Sequence, residues 1–415
     1  MLNFTPNRKL PGIFAIFMVL ILFGLLYTGC GSNQAFNKDL NSIIKPYTFS
    51  ILQWELKTIP GEINQFITGY EQIDDEVETV TNYFSLIDRI KALESELKTI
   101  SYNEPDNRAS LEVELTALQE QKVALEDIVE RIIEQQLRET LAEQGIYNPR
   151  DGNAGIGLTL PPVNFQLETP PYLLVVSPRE SIDYSRGITL KQGISLDDIE
   201  EIETQVDQLG VSSLVVPLGG LGATYPSFVT NNASLEFTIN TAAEEWLHQY
   251  LTFKPLGFRY LLHITNISKN YEVVTINETV ASMVSDEIGS ILCAKYYQEC
   301  DNNNSNVVDE QEFDFNAEMR EIRITVDQHL ANGEVALAEE FMEQKRQYLL
   351  TQGYYIRKLN QAYFAFYGTY ADSPTSISPI GRDLNKLREQ SASVKDFLDK
   401  AADMTSYQDL IDSIR

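Results

Sequence analysis

Three histidines occur in 415 residues, so each can be weighed singly as a metal ligand or proton carrier. His263 lies in a strand-like apolar run, Tyr260-Leu-Leu-His-Ile264, and His329 in a polar helical stretch; both read as structural or surface residues. His248 is different, because two carboxylates precede it in Ala243-Glu-Glu-Trp-Leu-His-Gln-Tyr-Leu251. Positions i and i+4 of a helix share a face, so Glu244 and His248 can reach one ion. A third acidic residue, Glu278, stands in Thr275-Ile-Asn-Glu-Thr-Val-Ala281. A purely structural reading competes with this one. Thr241-Ala-Ala-Glu244 has the spacing of a capping box, which would make Glu244 a helix-start residue and leave Trp246, Leu247, Tyr250 and Leu251 as a core face.

Together, the two segments resemble the site of the gluzincin metallopeptidases. Their active-site helix reads His-Glu-x-x-His, and a glutamate on the next helix, often within Asn-Glu-x-x-Ala, completes the metal site. The resemblance implies that Glu245 is the general base that polarises the attacking water, and that His248 and Glu278 are metal ligands with Asn277 and Ala281 as motif neighbours. Glu244 stands where the family has its first histidine, so the motif is degenerate and the implied ligand set is Glu244, His248 and Glu278. Zinc is the implied ion. Manganese is an alternative, since oxygen ligands suit harder ions, and a chain that has lost catalysis would hold none. Ala223 to Val229 lies where such enzymes present an edge strand to the peptide. The run Asn360 to Tyr370 is similar to membrane-anchored bacterial aminopeptidases that pack such a helix near the site, which makes Tyr363, Tyr367 and Tyr370 candidate oxyanion stabilisers. Glu245-x-x-His248 also has the spacing of di-iron bundle ligands, but that site needs a second copy. Neither His263 nor His329 has a glutamate three residues before it.

The elements that must position these residues can be read from periodicity. Residues 36–150 read as helical. Leu86, Ile90, Leu93, Leu97 and Ile100, then Leu111, Leu115, Leu118, Leu125, Val129 and Ile132, form an apolar seam on two helices joined by a polar break at 102–107, hence an antiparallel hairpin. Its charged faces read as solvated surface, with a partner-binding coiled coil as the alternative. A Gly/Pro-rich crossing from Asn148 to Pro171 reads as a domain boundary. Beyond it, Tyr172 to Ser177 and Ser212 to Pro217 read as buried strands, with a helix between them capped by Ser195. Two helices are expected at about 238–253 and 275–290, then a polar linker at 301–306 and a helical remainder. The expected fold is therefore α+β and mainly helical. It comprises an anchor (1–30), a helical hairpin (36–150), a gluzincin-like catalytic domain (155–300) and a helical C-terminal subdomain (310–415).

Composition bounds the function. A net charge of −28 repels phosphate backbones and argues against nucleic-acid binding. Arg8 and Lys9 precede an apolar run from Ile13 to Tyr27 that closes on Thr28-Gly29-Cys30, the marks of an export signal. Gly29-Cys30 looks like a lipobox with Cys30 as the lipidated residue. Unprocessed, about 17 apolar residues can just span a bilayer core, and the basic flank would keep the N-terminus inside. Both readings place the acidic bulk outside the cytoplasm, anchored to a membrane. There, Cys293 and Cys300 could pair, although on one straight helix they would sit about 10 Å apart and stay free thiols. The expectation is a membrane-anchored, extracytoplasmic zinc-metallopeptidase-like protein that hydrolyses peptides. The rival is an inactive peptidase-fold envelope protein that binds a partner through its hairpin.

Overall fold

The computed structural model describes residues 34–50, 54, 75–99, 105–146, 161–222, 224–264, 267–298, 300, 313–371 and 373–415. The expected anchor with Cys30, residues 102–104 of the expected polar break at 102–107 and the linker at 301–306 lie outside them; the rest of that break, 105–107, is already helical. No described helix is long and apolar enough to cross a membrane. The fold is mainly helical α+β. Its helices are α1 (Gln34–Ile44), α2 (Glu76–Thr99), α3 (Pro105–Glu143), α4 (Leu196–Asp207), α5 (Leu235–Leu251), α6 (Pro255–Ile264) and α7 (Tyr271–Tyr296). They continue as α8 (Phe315–Ala331), α9 (Val335–Thr351), α10 (Gln361–Tyr367), α11 (Ile380–Glu389), α12 (Val394–Ala402) and α13 (Tyr407–Ser413).

The strands are β1 (Phe165–Leu167), β2 (Tyr172–Pro178), β3 (Arg186–Leu190), β4 (Val211–Pro217), β5 (Gly220–Leu221) and β6 (Ser227–Val229). They form two three-stranded sheets rather than one. In the first, β2 is the centre of an antiparallel β3-β2-β4 order, with Leu174 opposite Val215 and Ile188. In the second, β6 pairs in parallel with β1 and antiparallel with β5, which leaves β5 at the edge. The expected strands at 172–177 and 212–217 are thus neighbours. The helix between them starts as expected, with the Ser195 side chain accepting from the Asp198 N–H, which satisfies one of the free amides of the first turn.

α2 and α3 form the hairpin. Its buried seam runs through Val80, Tyr83, Phe84, Ile87, Ile90 and Leu93 on α2 and Val129, Ile132, Ile133, Leu137 and Leu141 on α3. That seam continues into one large core that also takes in β1, α5, α7 and α11–α13, so the apolar interior runs across the crossing at 148–171. A second core fills the space between α1, α4 and the β2–β4 sheet, and a third joins α8, α9 and α10.

Three local expectations change. The site helix starts earlier than 238: Ser234 is its cap, accepting from the Phe237 N–H. Thr241 is therefore inside α5 and buried, and the capping-box reading of Thr241 and Glu244 fails. The run around His263 is helical, not a strand. Pro255 opens α6, where its missing N–H costs nothing, and Leu256, Gly257, Leu261 and His263 form its buried side. Finally, Cys293 and Cys300 are joined as a disulfide with Cα atoms 5.4 Å apart. The straight-helix argument against pairing lapses because α7 ends at Tyr296 and Gln298 takes a positive φ of 66°, which turns Cys300 back toward the helix.

Candidate metal centre

Four elements converge on His248. α5 carries Glu244, Glu245 and His248, α7 carries Asn277 and Glu278, α6 carries Tyr260, and the segment after α10 carries Tyr370. α5 is held at this crossing by nearly continuous burial along its length. Trp246 donates from Nε1 to the Pro161 carbonyl at 2.7 Å, and Gln249 donates to the carbonyls of Gly222 and Thr224 at 3.3 and 2.9 Å. These last bonds seat the edge strand β5 against the site helix. α7 is fixed at its start by Asn270, whose side chain accepts from the Val273 N–H at 3.2 Å. It packs Val273, Ile276, Val280, Val284 and Ile288 into the main core. The 30-residue gap between His248 and Glu278 is spanned by α6, which folds back between the two helices.

Glu244, His248 and Glu278 each offer a ligand atom, and these atoms lie within 4.8 Å of one another. His248 Nε2 stands 3.4 Å from Glu278 Oε2. That is long for a hydrogen bond between charged groups, but two donors bound tetrahedrally to one ion at zinc-like distances stand about 3.4 Å apart. The other ring nitrogen, Nδ1, lies 2.9 Å from Asn277 Oδ1. A proton on Nδ1 donated to Asn277 leaves the Nε2 lone pair facing Glu278, the arrangement by which an outer partner fixes the tautomer of a ligating histidine. Tyr260 donates to Glu278 Oε1 at 2.8 Å, and its ring stacks on that of His248 with centroids 5.8 Å apart. Glu244 Oε1 is buried and has no hydrogen-bond partner among the described residues. An orphaned carboxylate oxygen beside an imidazole and a second carboxylate is the chemistry of a cation site. The three residues could hold a metal ion.

The charges support that reading. Burial pushes the Glu244 carboxyl up to about 7, with His248 opposing the shift and Glu278 adding to it. Burial likewise pushes Glu245 up to about 8, against the pull of His248. Burial opposes a charge on His248, but Glu278 first, then Glu245 and Glu244, outweigh it and raise the imidazole to about 10. For Glu278, burial works against ionisation. His248, with hydrogen bonds from Tyr260 and Tyr370, nevertheless holds its carboxyl below the ordinary value. Without an ion, then, a His248–Glu278 ion pair sits between two carboxyls that hold protons more tightly than free glutamates do. A divalent cation inverts this balance, favouring ionised carboxylates and a neutral imidazole.

Glu245 adjoins the ligand trio, interacting with His248, Glu244 and Glu278, and its carboxylate also reaches the end of β5. A backbone hydrogen bond from Gly222 favours its charged form, and both glycines of the strand end are shaped to it. A Cβ on Gly222 would meet Glu245 Oε2 at 2.7 Å and the Glu245 carbonyl at 2.8 Å, and one on Gly220 would meet Thr241 Cγ2 at 2.6 Å. The edge strand beside the site is therefore Gly220–Leu221, not Ala223 to Val229 as expected from sequence. Among the described residues of that segment only Ser227–Val229 is a strand, and it is the inner one. Of the three tyrosines expected near the site, Tyr370 joins it through its hydrogen bonds to Glu244 and Glu278. Tyr363 and Tyr367 instead pack on each other with centroids 4.6 Å apart, and Tyr363 lies against the apolar face of β2 and β4. Sequence reasoning missed Tyr260, because the strand-like reading of its segment hid the helical phase that turns it inward. Pro255 followed by Leu256, Tyr260 and His263 was the available signal.

No protein-family model, curated protein or solved structure matches this chain. The reading of the site therefore rests on its own geometry.

Proposed function

We propose that this chain is a metallopeptidase-like protein, with Glu244, His248 and Glu278 holding a divalent ion and Glu245 acting as general base on peptide substrates. The observation that carries the reading is the convergence of these three residues within 4.8 Å across two helices, next to Glu245, whose carboxyl burial pushes up to about 8. When bound, the ion supplies Lewis-acid polarisation of a scissile carbonyl. The chain's own residues do the rest. Glu245, with its proton affinity raised toward neutrality, accepts a proton from the attacking water and can return it to the leaving amine. Asn277 holds the His248 ring in one tautomer, and Tyr260 and Tyr370 hold Glu278. The free edge of β5 offers backbone groups for an extended peptide. Zinc is the favoured ion, and the two-carboxylate set would also accept manganese.

The membrane-anchored, extracytoplasmic placement implied by residues 1–30 belongs to the same proposal. The rival is an inactive relative that binds a partner through the α2–α3 hairpin. One observation favours it: the His248–Glu278 ion pair lets the pocket exist without an ion. Metal content separates the two. Full-length protein equilibrated with zinc or manganese and then dialysed should retain about one ion per chain, and His248→Ala should retain none. Glu245→Gln should keep the ion and lose peptide cleavage. Wild-type protein that retains no ion with either metal would rule the proposal out.

A further inference from the structure

Three glycines between β4 and β6 lie along α5, each against a successive turn of that helix. A Cβ on Gly219 would meet Phe237 Cζ at 2.7 Å, one on Gly220 would meet Thr241 Cγ2 at 2.6 Å, and one on Gly222 would meet Glu245 Oε2 at 2.7 Å. The strand end and the helix therefore run side by side in the same direction, from Phe237 to the candidate base. Phe237 is fixed in the first turn of α5, where its N–H donates to the Ser234 side chain at 3.3 Å. With Glu244 and His248 it stands at i, i+7 and i+11, which is one face of a helix. It is 45 % exposed, a large apolar group left bare at the end of the row that carries two of the candidate ligands. The backbone beside it is open as well. Gly219 O accepts from the Thr230 N–H at 2.9 Å. In an antiparallel ladder the next residue, Gly220, then turns its N–H and C=O away from β6. The opposite edge of the same sheet is closed, because Glu134 and Glu130 on α3 accept from the N–H groups of Phe165 and Leu167 at 3.1 and 2.6 Å. An added strand can therefore pair at β5 and not at β1.

We propose that Phe237 is the far subsite for an extended peptide laid along β5, and that it seats a large apolar side chain three or four residues from the bond cleaved. Phe237 and Glu245 are eight positions apart, about 12 Å along the helix, and an extended peptide covers about 3.3 Å per residue. Alternate side chains of that peptide turn toward α5, so one of them reaches the Phe237 ring. An aromatic or aliphatic group placed there removes apolar surface of both partners from water. The implied substrates are internal stretches of peptide or protein, since a dipeptide is too short to reach both points. The place of the cleaved bond rests on the peptidase reading, whereas binding of a peptide through Phe237 does not require turnover.

The test uses the full chain equilibrated with zinc and fluorescein-labelled decapeptides of alanine and serine, with or without one phenylalanine at the fifth position. In Glu245→Gln, which should hold a peptide without cutting it, fluorescence anisotropy should show the phenylalanine peptide bound about ten-fold more tightly than the plain one. Phe237→Ala on that background should abolish the preference, and Phe237→Leu should keep most of it, with zinc retention the same in all three proteins. A preference that survives Phe237→Ala overturns the inference, as does the absence of any preference in Glu245→Gln. Cleavage by the wild-type chain separates the subsite from the peptidase reading. The cut should fall three or four residues from the phenylalanine, and a cut at a bond next to it overturns the inference. Binding that depends on Phe237, with neither peptide cut, keeps the subsite and removes the peptidase reading.

Discussion

At the scale of single residues, Glu244 decides how this site differs from a two-histidine one. It is neither a capping residue nor a solvated carboxylate, because it lies mid-helix with Oε1 buried and unpartnered. Two anionic ligands make an ion a weaker Lewis acid than one anion and two imidazoles do. Glu244→His is therefore expected to tighten zinc binding and to raise peptide hydrolysis, and Glu245→Gln on that background should abolish the gain. Zinc titration and a peptide assay check this, and unchanged zinc affinity would remove Glu244 from the ligand set. The protonation pattern gives a second expectation. Ion binding must displace the proton on His248, raised to about 10, and on Glu244, raised to about 7, so affinity should climb with pH, most steeply below about 7. Calorimetry in two buffers of different ionisation enthalpy measures the proton release directly. In metal-free protein the same groups bind more protons folded than unfolded. Stability should therefore fall as pH rises from about 5 toward 10, first as Glu244 and then as His248 loses its proton, and added ion should restore it.

Among elements, the contact between α5 and β5 carries the most consequence. Gly222 is the position where backbone and carboxylate approach too closely for a side chain. Gly222→Ala would force β5 away from α5 or displace Glu245, at about 1–3 kcal/mol in stability. Because the displaced group is the proposed base, peptide turnover should drop more than ion retention does. A loss of both together would mean that the strand merely supports the fold.

On the scale of the whole molecule, Tyr370 reaches the centre only because the C-terminal third is fastened to the β2–β4 sheet. Arg357 makes two bonds to Glu203, at 2.9 and 2.6 Å, and Asn360 donates to the Ser213 carbonyl at 2.9 Å. Glu203 is 4 % exposed and also accepts from the Val215 N–H at 2.6 Å. Arg357→Met would leave that buried carboxylate with Lys358 at 3.6 Å as its remaining cation. A cost of about 3 kcal/mol is expected, seen as a lower melting temperature and faster hydrogen exchange across residues 354–371. A change confined to the surface, with exchange there unaltered, would show that other contacts carry the docking.

The chain's residues by themselves determined the periodic elements and the ligand face. The existence of the hairpin, the two central strands, the Ser195 cap and the i, i+4 pairing of Glu244 with His248 are all local patterns, written in side-chain spacing, although the buried seam runs through Ile87 and Ile133 rather than Leu86 and Leu118. Glu278 was legible as a third candidate ligand only through its motif neighbours, since nothing local joins positions thirty apart. Periodicity failed where segments are apolar on every side. That is why α6 read as a strand, and why Tyr260 went unseen. The tertiary structure decided what depends on distant chain meeting in space: β5 as the free edge, the disulfide made reachable by the end of α7, and Tyr370, not Tyr363 or Tyr367, at the centre. It also decided how strongly each carboxyl resists ionising, because that depends on burial and on neighbours brought in by other helices, which no local pattern encodes.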